Sequence, residues 1–233
     1  MNVMEIREFD PVDIWGPFND VEKRRAPKRI FVAGDDSLLR VQPRVSIVGS
    51  RKASQGGLKR ASKLAKLLVE RGAIVISGLA EGIDTAAHRG ALESGGRTVA
   101  VLGTPLDQNY PKSNAALQRE IISHHVAVSQ FPVGYPIQPG NFPMRNLVMA
   151  LISNATVIAE AGETSGSLNQ GWEALRLGRL LFIMESVVNN HTLSWPAKMI
   201  SYGAQILSDE TIDLFLDGLP TASVNDCAIT LAS

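Results

Sequence analysis

A chain of 233 residues with a formal net charge of +0 and 45% hydrophobic residues has the composition of a folded globular protein, one large α/β domain or two small ones. No apolar run is long enough to cross a bilayer, and the first residues, with Glu5, Glu8, Asp10 and Asp13, lack the basic-then-apolar pattern of a secretory leader. The one cysteine, Cys227, excludes an intrachain disulfide and a zinc site built from cysteines of one chain, so a cytoplasmic location is the simplest reading.

Residues 1–26 read as an irregular entry segment, because Pro11, Gly16 and Pro17 break any long helix. Ile14, Trp15 and Phe18 are expected to pin it to the body, and Lys23-Arg24-Arg25 reads as a solvated basic run. The body is expected over residues 27–219, with a loose tail over 220–233. A short strand at 29–34 ends at Gly34. The first strong strand, 45–48, ends in Gly49-Ser50-Arg51-Lys52, and a helix over 54–70 follows. Its Leu58, Ala61, Leu64, Ala65 and Leu68 share one face. Lys59, Lys63 and Lys66 fall on another, which reads as an outer, solvated face. Further strands are expected at 73–77, 99–102, 127–129, 156–160 and 180–184. Helices are expected at 85–93, 114–123, 145–152 and 168–177, with weaker ones before Gly203 and at 211–216. A Pro/Gly-rich loop at 132–143 is long enough to be functional.

The strands are apolar throughout, as when helices cover both faces of a sheet. The predicted fold is therefore α/β, a doubly wound, mostly parallel sheet. Right-handed crossovers gather the strand C-termini on one edge. Gly49, Gly78, Gly103 and Gly162 all follow those termini. A buried strand, a glycine turn and a helix start present backbone N–H groups to an anion. Neutral overall charge means that any anionic ligand is met by local charge. Arg51, Lys52 and Arg145 supply it, Ser50, Ser165 and Ser167 supply hydroxyls beside glycines such as Gly166, and Phe142 supplies a ring that reads equally as a stacking platform or as core. Arg51 and Arg145 are expected as two solvent-edge charges of one crevice, removable without unfolding the chain. No catalytic constellation stands out. Asp84 is expected to cap its helix start, and His88, four residues on, to make a structural hydrogen bond.

Taken together, these motifs resemble the DNA-processing protein A (DprA/Smf) family. The match is carried by Val45–Arg51 (VSIVGSR), residues 77–92 (SGLAEGIDTAAHRGAL), Val101-Leu102-Gly103 with Leu106-Asp107 and Tyr110-Pro111, Phe142-Pro143-Met144-Arg145-Asn146, Glu160-Ala161 and Ser165-Gly166-Ser167-Leu168. It covers residues 27–215. The resemblance implies an extended Rossmann-like domain without a cofactor, which binds single-stranded DNA, forms a homodimer and helps load a RecA-type recombinase on transforming DNA. It implies that Gly49, Ser50, Arg51, Phe142, Arg145 and Asn146 hold the strand, while Gly78, Leu79, Ala80, Gly82 and Asp84 shape the pocket floor. Leu147 stands where many members have Arg, and Met184-Glu185-Ser186 where Pro-Gly is frequent. The chain reads as a core-only member, without the added helical and winged-helix domains. The second reading is a nucleotide sensor or a phosphoribohydrolase related to the LOG enzymes. Those enzymes carry Pro-Gly-Gly-x-Gly-Thr, where this chain has Glu160-Ala161-Gly162-Glu163-Thr164-Ser165-Gly166; Glu160 and Glu163 keep that reading open.

Overall fold

The apolar segments that punctuate the sequence are strands of a single sheet whose two faces are both covered. The computed structural model describes residues 4–220. In chain order the elements are β1 (Arg7–Phe9), α1 (Pro11–Trp15), α2 (Asp20–Arg25), β2 (Ile30–Gly34), β3 (Arg44–Gly49), α3 (Gln55–Glu70), β4 (Ile74–Ser77), α4 (Ile83–Glu93), β5 (Thr98–Leu102) and α5 (Ala115–His124). There follow β6 (Val126–Ser129), α6 (Asn141–Ile152), β7 (Ala155–Glu160), α7 (Ser167–Arg176), β8 (Leu180–Met184), α8 (Glu185–Val188), α9 (Trp195–Ser201), β9 (Gln205–Leu207) and α10 (Ile212–Asp217).

The strand order is β1-β2-β6-β5-β4-β3-β7-β8-β9. From β6 to β9 every neighbouring pair is parallel. β2 is antiparallel to both β6 and β1. The chain winds from β3 outward to β6, then returns to the other side of β3 as β7. Right-handed crossovers therefore put α3 and α4, packed on each other, on one face, and the packed pair α6 and α7 on the other. The reversal lies between β3 and β7, and ligands of such sheets bind beyond the strand ends at that point. The strands of the middle are buried over nearly their whole length, and no helix of the described residues is long and apolar enough to cross a membrane.

The entry segment differs from the irregular chain expected. Its prolines and glycine punctuate short elements rather than abolish them. Pro11 opens α1, where its missing N–H is not needed, and Asp10 accepts from Val12 N. Asn19 and Glu22 cap α2 reciprocally. Glu22 is buried and pairs with Arg179 at 2.5 Å, and Arg25 pairs with Glu173, so part of the expected solvated run anchors α2 to α7 and the turn after it. α6 starts at Asn141, four residues earlier than expected, because Pro143 falls in the first turn, where a helix tolerates it. Short β9 and α8 carry too little periodicity to be read in advance. The expected tail lies, beyond Pro220, outside the described residues.

His88 shows how α4 is fastened to the sheet. The Thr98 hydroxyl donates to Val75 O at 2.8 Å, so its proton is already used. The His88 Nδ1–H consequently donates to Thr98 Oγ1 at 2.7 Å, and the buried Nε2 has no hydrogen-bond partner among the described residues. No contact with Asp84 orients this ring. Burial pushes the His88 imidazole down from 6.5 to about 3. Between those values the unfolded chain binds a proton that the folded chain refuses, so stability falls as pH is lowered through that window. Urea unfolding of the protein and of His88→Gln should diverge below about pH 6 by about 1.4 kcal/mol per pH unit, the native chain being the more acid-sensitive. Parallel curves would show that His88 titrates normally in the fold.

Candidate functional site

β3 ends at Gly49, and the turn that follows is fixed by its backbone. Ser50 N donates to Glu160 O at 2.7 Å, and Ser50 O accepts from Ile83 N at 3.2 Å. Arg51 and Lys52 are thereby pushed outward at the switch point, and both are exposed. They border a crevice of about 460 Å³ between the ends of β3 and β7, whose far wall is the Gly162–Ser167 turn and the start of α7. Of the candidate residues, Gly49, Ser50, Ala80, Asp84, Phe142, Arg145, Asn146, Ser165, Gly166 and Ser167 also line this crevice.

The start of α3 departs from the expected anion cradle. Its nearest anion belongs to the chain itself: Glu160 accepts from Ser54 N at 2.7 Å and from Ser54 Oγ at 2.6 Å, and Arg60 lies 3.3 Å away. The positive charge of the crevice mouth is therefore carried by the Arg51 and Lys52 side chains rather than by that helix end.

Arg145 is a second correction. It is only 5% exposed and is not a solvent-edge charge. Its guanidinium donates to Gly78 O, to Val101 O at 2.9 Å and to Asn146 Oδ1 at 3.0 Å. Opposite it, Asp84 is 6% exposed and accepts from Gly78 N at 3.1 Å and Ala80 N at 3.2 Å, so it secures the β4–α4 turn instead of capping its own helix. Burial pushes the Asp84 carboxyl up, while Arg145 and the two N–H groups pull it the other way. Asn146 relays this centre to the far wall by donating to Gly166 O at 3.1 Å.

Several of the expected residues also carry this framework. A side chain at Gly78 would collide with the Arg145 guanidinium. Leu79 is fully buried in the cluster with Ala33, Leu102 and Leu117, despite a left-handed φ of 58°. Gly82, at φ +77°, lies under the Ser50–Arg51 backbone and does not line the crevice. Gly103 supports the Phe142 ring, whose Cδ1 is 2.7 Å from where its Cβ would stand.

Phe142 is half-buried, and three groups surround its ring. Gly103 lies against it, the Tyr110 ring leans on it with centroids 5.3 Å apart, and the Arg51 guanidinium stands 5.3 Å from its centroid. Across the crevice, the Ser165 and Ser167 hydroxyls bond each other at 2.7 Å. Tyr110, Thr164 and Gln170 were not among the expected site residues. Gln170 follows Ser167 by three positions and so shares its helix face, a signal available from spacing. It is 1% exposed, and its Nε2 has no partner among the described residues. Glu163 is turned away from the crevice lining; it accepts from Ser194 N at 2.9 Å and from Ser194 Oγ, and those bonds hold its carboxyl below the usual range.

A mostly parallel sheet with a crevice at its switch point, and with exposed cations and an aromatic at the mouth, is the plan of Rossmann-like proteins that take phosphate-bearing ligands. Residues 17–217 match the family described as DNA recombination-mediator protein A, and the chain belongs to that family. It is 37% identical over 208 residues to DNA processing protein DprA of Streptococcus pneumoniae, covering 86% of this chain and 73% of the relative. It is 31% identical to the DprA protein of Bacillus subtilis over 181 residues, covering 78% of this chain and 61% of the relative. The X-ray structure of the Streptococcus pneumoniae protein superimposes with a TM-score of 0.80 at 34% identity, covering 91% of this chain and 74% of that one. A Helicobacter pylori DprA structure, described for its single-stranded DNA binding mode, superimposes with a TM-score of 0.75 at 23% identity, covering 92% and 95%, and shares the fold.

Proposed function

We propose that this chain binds single-stranded DNA in its crevice, without catalysing a reaction, as part of DNA processing and recombination. One observation carries the reading: an exposed cation, Arg51, stands over the partly exposed ring of Phe142 at the mouth of a crevice edged by hydroxyls. Charge for a phosphate and a ring for a base, side by side, suit a strand whose bases are unpaired. Family membership supports it, as does the single-stranded DNA named for the Helicobacter pylori relative. Hydrolysis is less well served. Asp84 is the one carboxylate lining the crevice among the described residues, and it is bonded to the backbone. Glu160 and Glu163 are bonded to Ser54 and Ser194.

Fluorescence anisotropy with single-stranded and duplex DNA at two salt concentrations tests the proposal. We expect preference for the single strand, with log affinity falling against log salt by roughly 0.7 per phosphate contacted. Phe142→Ala should weaken binding about tenfold, within the range for one lost stacking partner. Arg51→Ala should remove roughly one contact's worth of salt slope. A folded Arg51→Ala, Phe142→Ala variant that binds like the parent would overturn the site. The homodimer, the RecA-type recombinase as partner and a cytoplasmic setting belong to the same proposal and rest on family membership; sedimentation velocity, and co-sedimentation with a purified recombinase, test the first two.

A further inference from the structure

The inner polar side chains of the crevice are, with one exception, already committed to the protein. Arg145 donates to Gly78 O and Val101 O, and Asp84 accepts from Gly78 N and Ala80 N. Asn146 accepts from Arg145 and donates to Gly166 O. The Ser165 and Ser167 hydroxyls bond each other at 2.7 Å. Gln170 is the exception. It lines the same crevice and is 1% exposed, yet its Nε2 has no hydrogen-bond partner among the described residues. An unmade hydrogen bond at a buried amide is costly, and a group that enters the crevice can make it.

The surroundings define what kind of group that is. Val48 and Met149, both buried, give the crevice an apolar lining, and its exposed cations, Arg51 and Lys52, stand at the mouth. A phosphate carried inward would lose water and those cations together, a cost that a neutral group does not meet. A volume of about 460 Å³ lies in the range that holds a small organic group. A carboxamide has N–H donors and a carbonyl acceptor side by side. The pairing edge of a base has the same two parts: N3–H beside O4 in thymine, N4–H beside N3 in cytosine. The terminal torsion of glutamine is broad and roughly two-fold, so a half-turn of the amide exchanges its donor and acceptor.

We propose that the Gln170 carboxamide is the base reader of the crevice: it takes the pairing edge of one base through two hydrogen bonds and, by turning over, accepts thymine and cytosine alike. The inference rests on the single-strand reading of the crevice and deepens it. Phosphates stay with Arg51 and Lys52 at the mouth while one base enters edge first. A duplex cannot offer that edge, because its partner strand already holds it, so the preference for a single strand is traced to one side chain.

Anisotropy titrations with oligothymidylate, oligodeoxycytidylate and an oligomer of N3-methylthymidine separate the possibilities. The methyl group keeps the ring and the phosphates but blocks the thymine edge. The parent should bind the methylated strand about tenfold more weakly than oligothymidylate, the loss of two neutral hydrogen bonds. Gln170→Met keeps the length and volume without the amide. It should bind both unmodified strands about tenfold more weakly and the methylated strand as the parent does. Its melting temperature should equal or exceed the parent's, since an apolar group in place of an unpartnered buried amide gives up no hydrogen bond. A melting temperature well below the parent's would assign the amide to the fold and overturn the base contact. So would equal loss on methylated and plain strands, which marks a side chain that only shapes the wall. Equal affinity of the parent for methylated and plain strands overturns the contact without any variant. A loss confined to one of the two unmodified strands would overturn the turning of the amide. If Gln170→Met binds every strand like the parent while Arg51→Ala weakens binding, the base contact falls and the crevice reading stands. If the parent binds no strand, both fall.

Discussion

Arg145→Ala should lower the unfolding free energy by about 2–5 kcal/mol, because two buried carbonyls lose their donor at about 1–3 kcal/mol each. The replacement removes the donor to Gly78 O and Val101 O and leaves Asp84 facing a hole beneath the crevice. The effect should be non-additive. Asp84→Asn in the Arg145→Ala background should cost less than it does alone, because the buried carboxyl it replaces no longer has the Arg145 charge acting on it. Arg145→Lys keeps the charge but not the planar fork that reaches two carbonyls, and should fall between. Urea unfolding of these variants decides the matter. If Arg145→Ala is as stable as the parent to within about 0.5 kcal/mol, the range of ordinary surface substitutions, the account of a buried guanidinium holding two carbonyls fails and the solvent-edge charge expected from sequence is restored.

Gly82→Ala should damage both stability and ligand binding, although residue 82 does not line the crevice. Gly82 has φ +77° and ψ −123°, a region that side-chain-bearing residues reach only with strain. A methyl group there would press on Ser50 O and stand 2.8 Å from the Arg51 carbonyl carbon. The turn that presents Arg51 has to move. Strain and crowding together should cost about 2–4 kcal/mol, and Arg51 should lose its place over Phe142. Gly95 provides the contrast, because it has φ +69° but no atom within 4 Å of an added methyl. Gly95→Ala should carry about 1–2 kcal/mol of backbone strain and leave DNA affinity unchanged. Indistinguishable melting and binding in the two variants would show that the Gly82 contact does not position the turn.

The sheet was legible because its strands are continuous apolar runs bounded by glycine turns, a pattern that needs no tertiary information. The location of the crevice followed from it, since alternating strands and helices leave few places for a switch point. The role of each motif residue was less legible. Arg145 and Arg51 are both cations in the candidate motifs, and spacing cannot say that one is held by the carbonyls of Gly78 and Val101 while the other reaches water. The same holds at α3, where Glu160 reaches the helix start from 106 positions along the chain. Such long-range pairing is invisible to a local pattern. The entry segment was misread for the opposite reason: its breakers were visible, but the caps that Asp10 and Asn19 make with their neighbours turn breakers into starts.

The Arg51–Phe142 contact bears on what the mouth of the crevice selects. The guanidinium occupies the face of the ring that an arriving base would take. A base alone would have to evict a cation that then has nothing to neutralise, and a lone phosphate would draw that cation off a ring left wetted. A nucleotide resolves both at once, exchanging one stack for another while the displaced charge turns to the backbone. If the strand binds there as proposed, the mouth would act as a coincidence gate: free nucleobases and inorganic phosphate would each meet half of the exchange, and a connected strand would complete it.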